Sequence, residues 1–159
     1  MIPKLEINQK TTIAVDSKKR FNPGLEVKAG EVYEFTLTDE TWKDGVTSPD
    51  DQTYFECTAA GWPSDTDLSW TERLAMRVLN LGISRKLGKI RVPCAEYFEL
   101  CGCFNEDDST AFRIGGLPSP HTWTAPQGGC LYFFANDAQA DRFYENNEGI
   151  IRFQIKHNQ

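Results

Sequence analysis

The chain has 159 residues, 40% of them hydrophobic and 25% charged, with a formal net charge of −6. That is enough chain for one domain with a real core, and residues 1–159 read as a single unit. The acidic balance argues against nucleic acid or an anionic membrane as the partner, and no stretch is apolar for long enough to span a bilayer.

Taken in order, Thr11 to Val15 reads as a first strand with Ile13 and Val15 on one face. Phe21-Asn22-Pro23-Gly24 is turn chemistry. Leu25 and Val27 then alternate, and Val32 to Leu37 alternates again after Ala29-Gly30-Glu31, the pattern of antiparallel β with one buried face. Trp42-Lys43-Asp44-Gly45 and Pro49-Asp50-Asp51-Gln52 read as one polar loop, where Gly45 allows positive φ or close backbone approach. Tyr54 to Thr58 is a short strand that Gly61-Trp62-Pro63 ends. Ser69 and Glu72 fit a capping box, and Leu74, Val78 and Leu81 follow at helical spacing, which predicts one short helix over about 70–81.

Beyond it, Lys89 to Val92 and Tyr97 to Phe104 read as strands around Pro93. Asn105 to Asp108 reads as a solvated acidic turn, Ala111 to Ile114 as a brief strand, and His121 to Thr124 as extended chain. Frequent Gly and Pro between seven to nine short strands argue for an all-β sandwich.

The N-terminus has no basic region followed by an apolar run, and the five Cys are an odd number, so reduced thiols in a cytoplasm are expected. Cys101 and Cys103 fall on one face of a strand, where they suit neither a disulfide nor zinc and read as small buried hydrophobes. The two His lie far apart in sequence, and no nucleophile elbow is present, so no enzyme is expected.

The stretch that carries chemistry runs from Cys130 to Ile155. Two runs rich in aromatic and β-branched residues flank a loop that opens with Asn136-Asp137 and closes with Asn146-Asn147-Glu148-Gly149. Side-chain oxygens of Asp and Asn, with loop carbonyls, suit a hard cation such as calcium. Calcium takes about six to eight oxygens, and only Asp137 is a clear carboxylate here, with Asp141, Glu145 and Glu148 as further candidates. The same residues also serve as plain turn chemistry.

The order of these signals resembles that of the PA-IL-type galactophilic lectins, small calcium-dependent bacterial β-sandwich proteins. The resemblance is carried by Asn22-Pro23-Gly24, Ala29-Gly30-Glu31-Val32-Tyr33, Trp42, Phe112-Arg113-Ile114-Gly115, Trp123-Thr124-Ala125-Pro126, and Leu131 through Asp137 to Asn146-Asn147-Glu148-Gly149 and Phe153-Gln154-Ile155. It implies a jelly-roll or galactose-binding-like sandwich. It also implies a calcium held by Asp137, Asn146, Asn147, the carbonyl of Phe143 and the carbonyl of Gly45, with sugar hydroxyls completing the metal shell and Asp137 bonding one of them. Gln52 is the one echo of the family's sugar-contacting side chains. The partner so implied is a galactose-like carbohydrate. Family members commonly oligomerise, so a homo-oligomer is among the expectations, and release of a cytoplasmic protein to the cell surface is compatible with them. Three departures keep a metal-free structural or protein-interaction module as the alternative: a loop about two residues longer between Asp137 and Asn146, an expanded region from Val46 to Lys89, and the absence of a matching sugar-contact His.

Overall fold

The computed structural model describes residues 2–47, 52–62, 90–138 and 143–158. Ten strands run through them: β1 Lys10–Asp16, β2 Asn22–Val27, β3 Val32–Leu37, β4 Thr41–Thr47, β5 Gln52–Thr58, β6 Leu100–Phe104, β7 Asp107–Arg113, β8 His121–Thr124, β9 Gly129–Ala135 and β10 Ile150–Asn158. They form two four-stranded antiparallel sheets, β1-β10-β3-β8 and β2-β9-β6-β7, and a separate β4-β5 hairpin. The all-β sandwich expected from the sequence is the fold. The helix expected over about 70–81 falls outside the described residues. No helix among the described residues is long and apolar enough to cross a membrane.

Alternation explains how the two sheets close on each other. Ile151, Phe153 and Ile155 of β10 are buried, as are Ile13 and Val15 of β1 and Tyr33 and Phe35 of β3. Phe133 of β9 meets Phe153 across the sandwich, edge to face, with ring centres 5.0 Å apart. The next residue, Phe134, points the other way and is also buried, packed with Val92, Ala95, Cys101 and Cys103 on the outer side of the second sheet. Burial on both faces is why the run Leu131 to Phe134 shows no alternation. It also places Cys101 and Cys103 together as the small buried groups expected of them.

Several local readings are corrected. Trp42 to Gly45 is strand, not loop: Trp42 and Asp44 face inward, Lys43 outward, and every residue of β4 pairs with β5. The segment before Pro93 is not a strand, since Ile90 makes only an isolated bridge to Ala138. The Asn136 side chain instead takes the backbone of that segment, accepting from Val92 N–H at 2.9 Å and donating to the Val92 and Glu96 carbonyls at 3.1 and 2.9 Å. Strand β6 starts at Leu100 rather than Tyr97, because Phe98 sits at φ 62° and breaks the extended run. The acidic turn shrinks to Asn105-Glu106, at φ 51° and 61°. That is the left-handed pair a tight hairpin needs. Asp107 and Asp108 belong to β7, and Asp108 pairs with Arg91 at 2.6 Å instead of standing in solvent. The extended chain expected from His121 to Thr124 is β8, and His121, which opens it, stacks on Phe35 at 5.2 Å.

Candidate ligand and metal site

The β4-β5 hairpin meets the loop between β9 and β10 at one end of the sandwich. Backbone bonds join them: Lys43 N–H donates to the Glu148 carbonyl at 2.6 Å, and Glu148 N–H returns to the Lys43 carbonyl at 2.9 Å. Two residues on, Gly45 lies so close to Asn146 that a Cβ there would strike the Asn146 backbone carbonyl. Close approach is therefore what this glycine is for. Its carbonyl accepts from Asn146 Nδ2, and its N–H points at Asn147 Oδ1 at 3.5 Å.

Asp137 enters the same cluster from the end of β9 and is 1% exposed. Its Oδ1 accepts from the Tyr97 hydroxyl and from Ala138 N–H, each at 2.6 Å, and its Oδ2 accepts from Asn147 Nδ2 at 3.0 Å. Asn147, fully buried, also donates to the Ser17 carbonyl at 3.3 Å. The structure thus brings Asp137, Asn146, Asn147 and Gly45 together, from positions up to 102 residues apart. Phe143 opens the turn that carries the two Asn and is half-buried. Gln52 opens β5 opposite Thr47, and it is Tyr54 that pairs with Gly45. Of the further carboxylates considered, Glu145 is exposed and Glu148 half-buried, while Asp141 lies outside the described residues.

A second acid was missed. Asp44, 4% exposed, accepts from Trp62 Nε1 at 3.0 Å through its Oδ2. Burial pushes its carboxyl up to about 7, and the charge of Asp137 adds to the rise. Burial likewise raises Asp137, while bonds from Asn147, Tyr97 and Ala138 and the charge of Arg91 pull it back. Cys57 and Tyr97 are both pushed up by burial, with the charges of these two acids contributing. Among the described residues, neither Asp44 nor Asp137 is in an ion pair. The signal for Asp44 was the inward alternation of Trp42 and Asp44, hidden by reading the segment as loop.

The donor set can be tested against a hard cation. No three His, Cys, Asp or Glu side chains gather to hold a metal ion among the described residues, so a cation site here would need amide and carbonyl oxygens beside its carboxylates. What gathers is oxygen: two buried carboxylates, two Asn amides and the Gly45 carbonyl. Asn146 Oδ1 is buried and has no hydrogen-bond partner among the described residues. A buried acceptor without a donor is costly unless something positive faces it. Two like-charged buried carboxylates carry the same requirement. These residues fit calcium.

Arg91 braces the loop from outside. Its side chain is fully buried over the Phe134 ring at 3.4 Å, is paired with Asp108, and donates to the Tyr144 hydroxyl at 3.0 Å. Tyr144 in turn donates to the Ala135 carbonyl at 3.2 Å, tying the turn of Asn146 and Asn147 to the end of β9.

The chain is similar in structure to a solved domain described as "EclA N-terminal domain; PllA-like lectin". The match covers 92% of this chain and 95% of that one, with a TM-score of 0.55 and 16% sequence identity. No protein-family profile and no curated protein sequence matches the chain. At that identity the likeness establishes the β-sandwich fold.

Proposed function

We propose that this protein is a carbohydrate-binding, lectin-like protein whose site is built on calcium. The observation that carries the reading is Asn146 Oδ1: a buried acceptor without a donor among the described residues, in the turn whose next residue, Asn147, bonds the buried Asp137. Asp137, Asn146 and Asn147 would hold the ion, with the carbonyls of Gly45 and Phe143. Calcium supplies a Lewis-acidic centre on which neighbouring sugar hydroxyls can replace water. The chain's own residues fix the orientation. Tyr97 and Asn147 lock the Asp137 carboxylate, and the Lys43–Glu148 backbone pair holds the hairpin against the loop. Trp62, half-buried and bonded to Asp44, supplies an indole of the kind that suits the apolar face of a sugar. The lectin description of the structural neighbour supports carbohydrate as the ligand class. The choice of a galactose-like sugar rests on the sequence resemblance.

A second reading has its own observation. Asp137 already accepts three hydrogen bonds, a complete set for a structural, metal-free carboxylate. On that reading the sandwich is a structural or protein-interaction module. A glycan array read with and without calcium separates the two. Calcium-dependent retention of a monosaccharide class supports the lectin reading, and silence in both conditions supports the module.

A further inference from the structure

We propose that Asp44 is a second acidic member of this cation site, held in place by Trp62, so that the site carries two carboxylates and takes a divalent cation before any sugar arrives. The proposal rests on the calcium reading above and adds a residue that the Asn-Asp and Asn-Asn-x-Gly pattern does not contain. Asp44 is joined by a peptide bond to Gly45, the residue whose carbonyl and N–H face Asn146 and Asn147. Its Oδ2 is fixed by the Trp62 indole at 3.0 Å. That indole meets the Tyr97 ring edge to face at 4.9 Å, and the Tyr97 hydroxyl fixes Asp137 at 2.6 Å. Two acids, one from the hairpin and one from the end of β9, are thus anchored through a single aromatic pair.

The charge balance favours this assignment. Burying one carboxylate without a counter-charge is costly, and burying two near each other costs more. Neither has an ion-pair partner among the described residues. A divalent cation offsets both charges at once, whereas a site with Asp137 alone keeps a net positive charge after binding. Carboxylate count is also the main lever on calcium affinity. A site with both acids holds the ion without help from sugar hydroxyls.

The test is calorimetric titration of calcium chloride, with no sugar present, into the full chain and into the D44N and D137N variants. Asn at 44 keeps an oxygen for the Trp62 indole and removes only the charge. Circular dichroism and melting in chelator confirm that each variant is folded. The expected result is sugar-free calcium binding by the wild type and affinity lower by about tenfold or more in D44N. A W62F variant, which releases Asp44 while keeping its charge, should fall between the two. If the wild type binds calcium and D44N binds it equally well, Asp44 is only the acceptor for Trp62 and the inference fails alone. If the wild type binds no calcium in the absence of sugar, the inference fails, and the calcium reading then stands or falls on the glycan array read with and without calcium.

Discussion

Trp62 and Tyr97 meet edge to face with their planes 75° apart, and each gives its polar hydrogen to a different buried acid: Trp62 to Asp44, Tyr97 to Asp137. The pair does two jobs. It contributes apolar packing to the end of the sandwich, and it fixes two carboxylates that have no ion-pair partner among the described residues. Removing either ring takes a hydrogen bond from one of the two acids.

Removing the Tyr97 hydroxyl isolates that second job. Y97F keeps the ring and its contact with Trp62 but leaves Asp137 Oδ1 with only the Ala138 N–H. A loss of about 1–2 kcal/mol in metal-free stability is expected, the cost of one buried bond to a charged group. Urea unfolding in chelator measures it. The loss should shrink when calcium is present, because the ion then takes over the charge that the hydroxyl was serving.

Gly45 is the contact point between hairpin and loop, and G45A places a methyl group against the Asn146 backbone carbonyl. The backbone must part there, since a carbonyl cannot turn aside as a side chain can. An overpacking cost of about 1–3 kcal/mol is expected. Calcium affinity should fall with it, because the Gly45 carbonyl moves away from Asn146. Thermal melting with and without calcium reports both effects.

Arg91 predicts a stability effect that leaves the proposed calcium ligands chemically intact. R91M keeps a long side chain over Phe134 but removes the charge that Asp108 pairs with and the donor that Tyr144 accepts from. Asp108 retains some solvent contact, so the loss should lie near the low end of the range for a broken buried pair, about 3 kcal/mol. Y144F, which breaks only the two hydroxyl bonds, should cost about 1 kcal/mol. Both are read by denaturant midpoints.

The acids set a pH dependence with a definite sign. Asp44 titrates near 7 in the folded protein against an ordinary value of 3.8, so between those values the native state holds a proton that the unfolded chain has released. Stability of the calcium-free protein therefore falls as pH rises from about 4 through 7, and Asp137, also raised, acts in the same direction. Melting in chelator at pH 5.5 and pH 7.5 should show the higher midpoint at the lower pH. D44N should flatten the difference. A midpoint that rises from pH 5.5 to pH 7.5 in the wild type, with no change in D44N, would contradict the environment assigned to Asp44.

How much of this was legible in the sequence depends on the range of the signal. The sandwich could be read because alternation in β1, β3 and β10 is local and each strand has one solvent face. The candidate residues Asp137, Asn146 and Asn147 could be picked out because they flank two well-marked strands. Asp44 could not, because its burial comes from the β4-β5 pairing and its partner Trp62 lies 18 residues away, across the hairpin. The segment before Pro93 was misread for a related reason. Its backbone is bonded by the Asn136 side chain, 44 residues on, and no local pattern reports that.

The most direct measurement is a paired titration of galactose into the full chain, first with calcium and then after removal of calcium by chelator. Expected are binding in calcium, its loss in chelator, its return when calcium is restored, and no binding by D137N in either condition. Sugar binding that persists unchanged in chelator, or in D137N, would contradict a site built on calcium and Asp137.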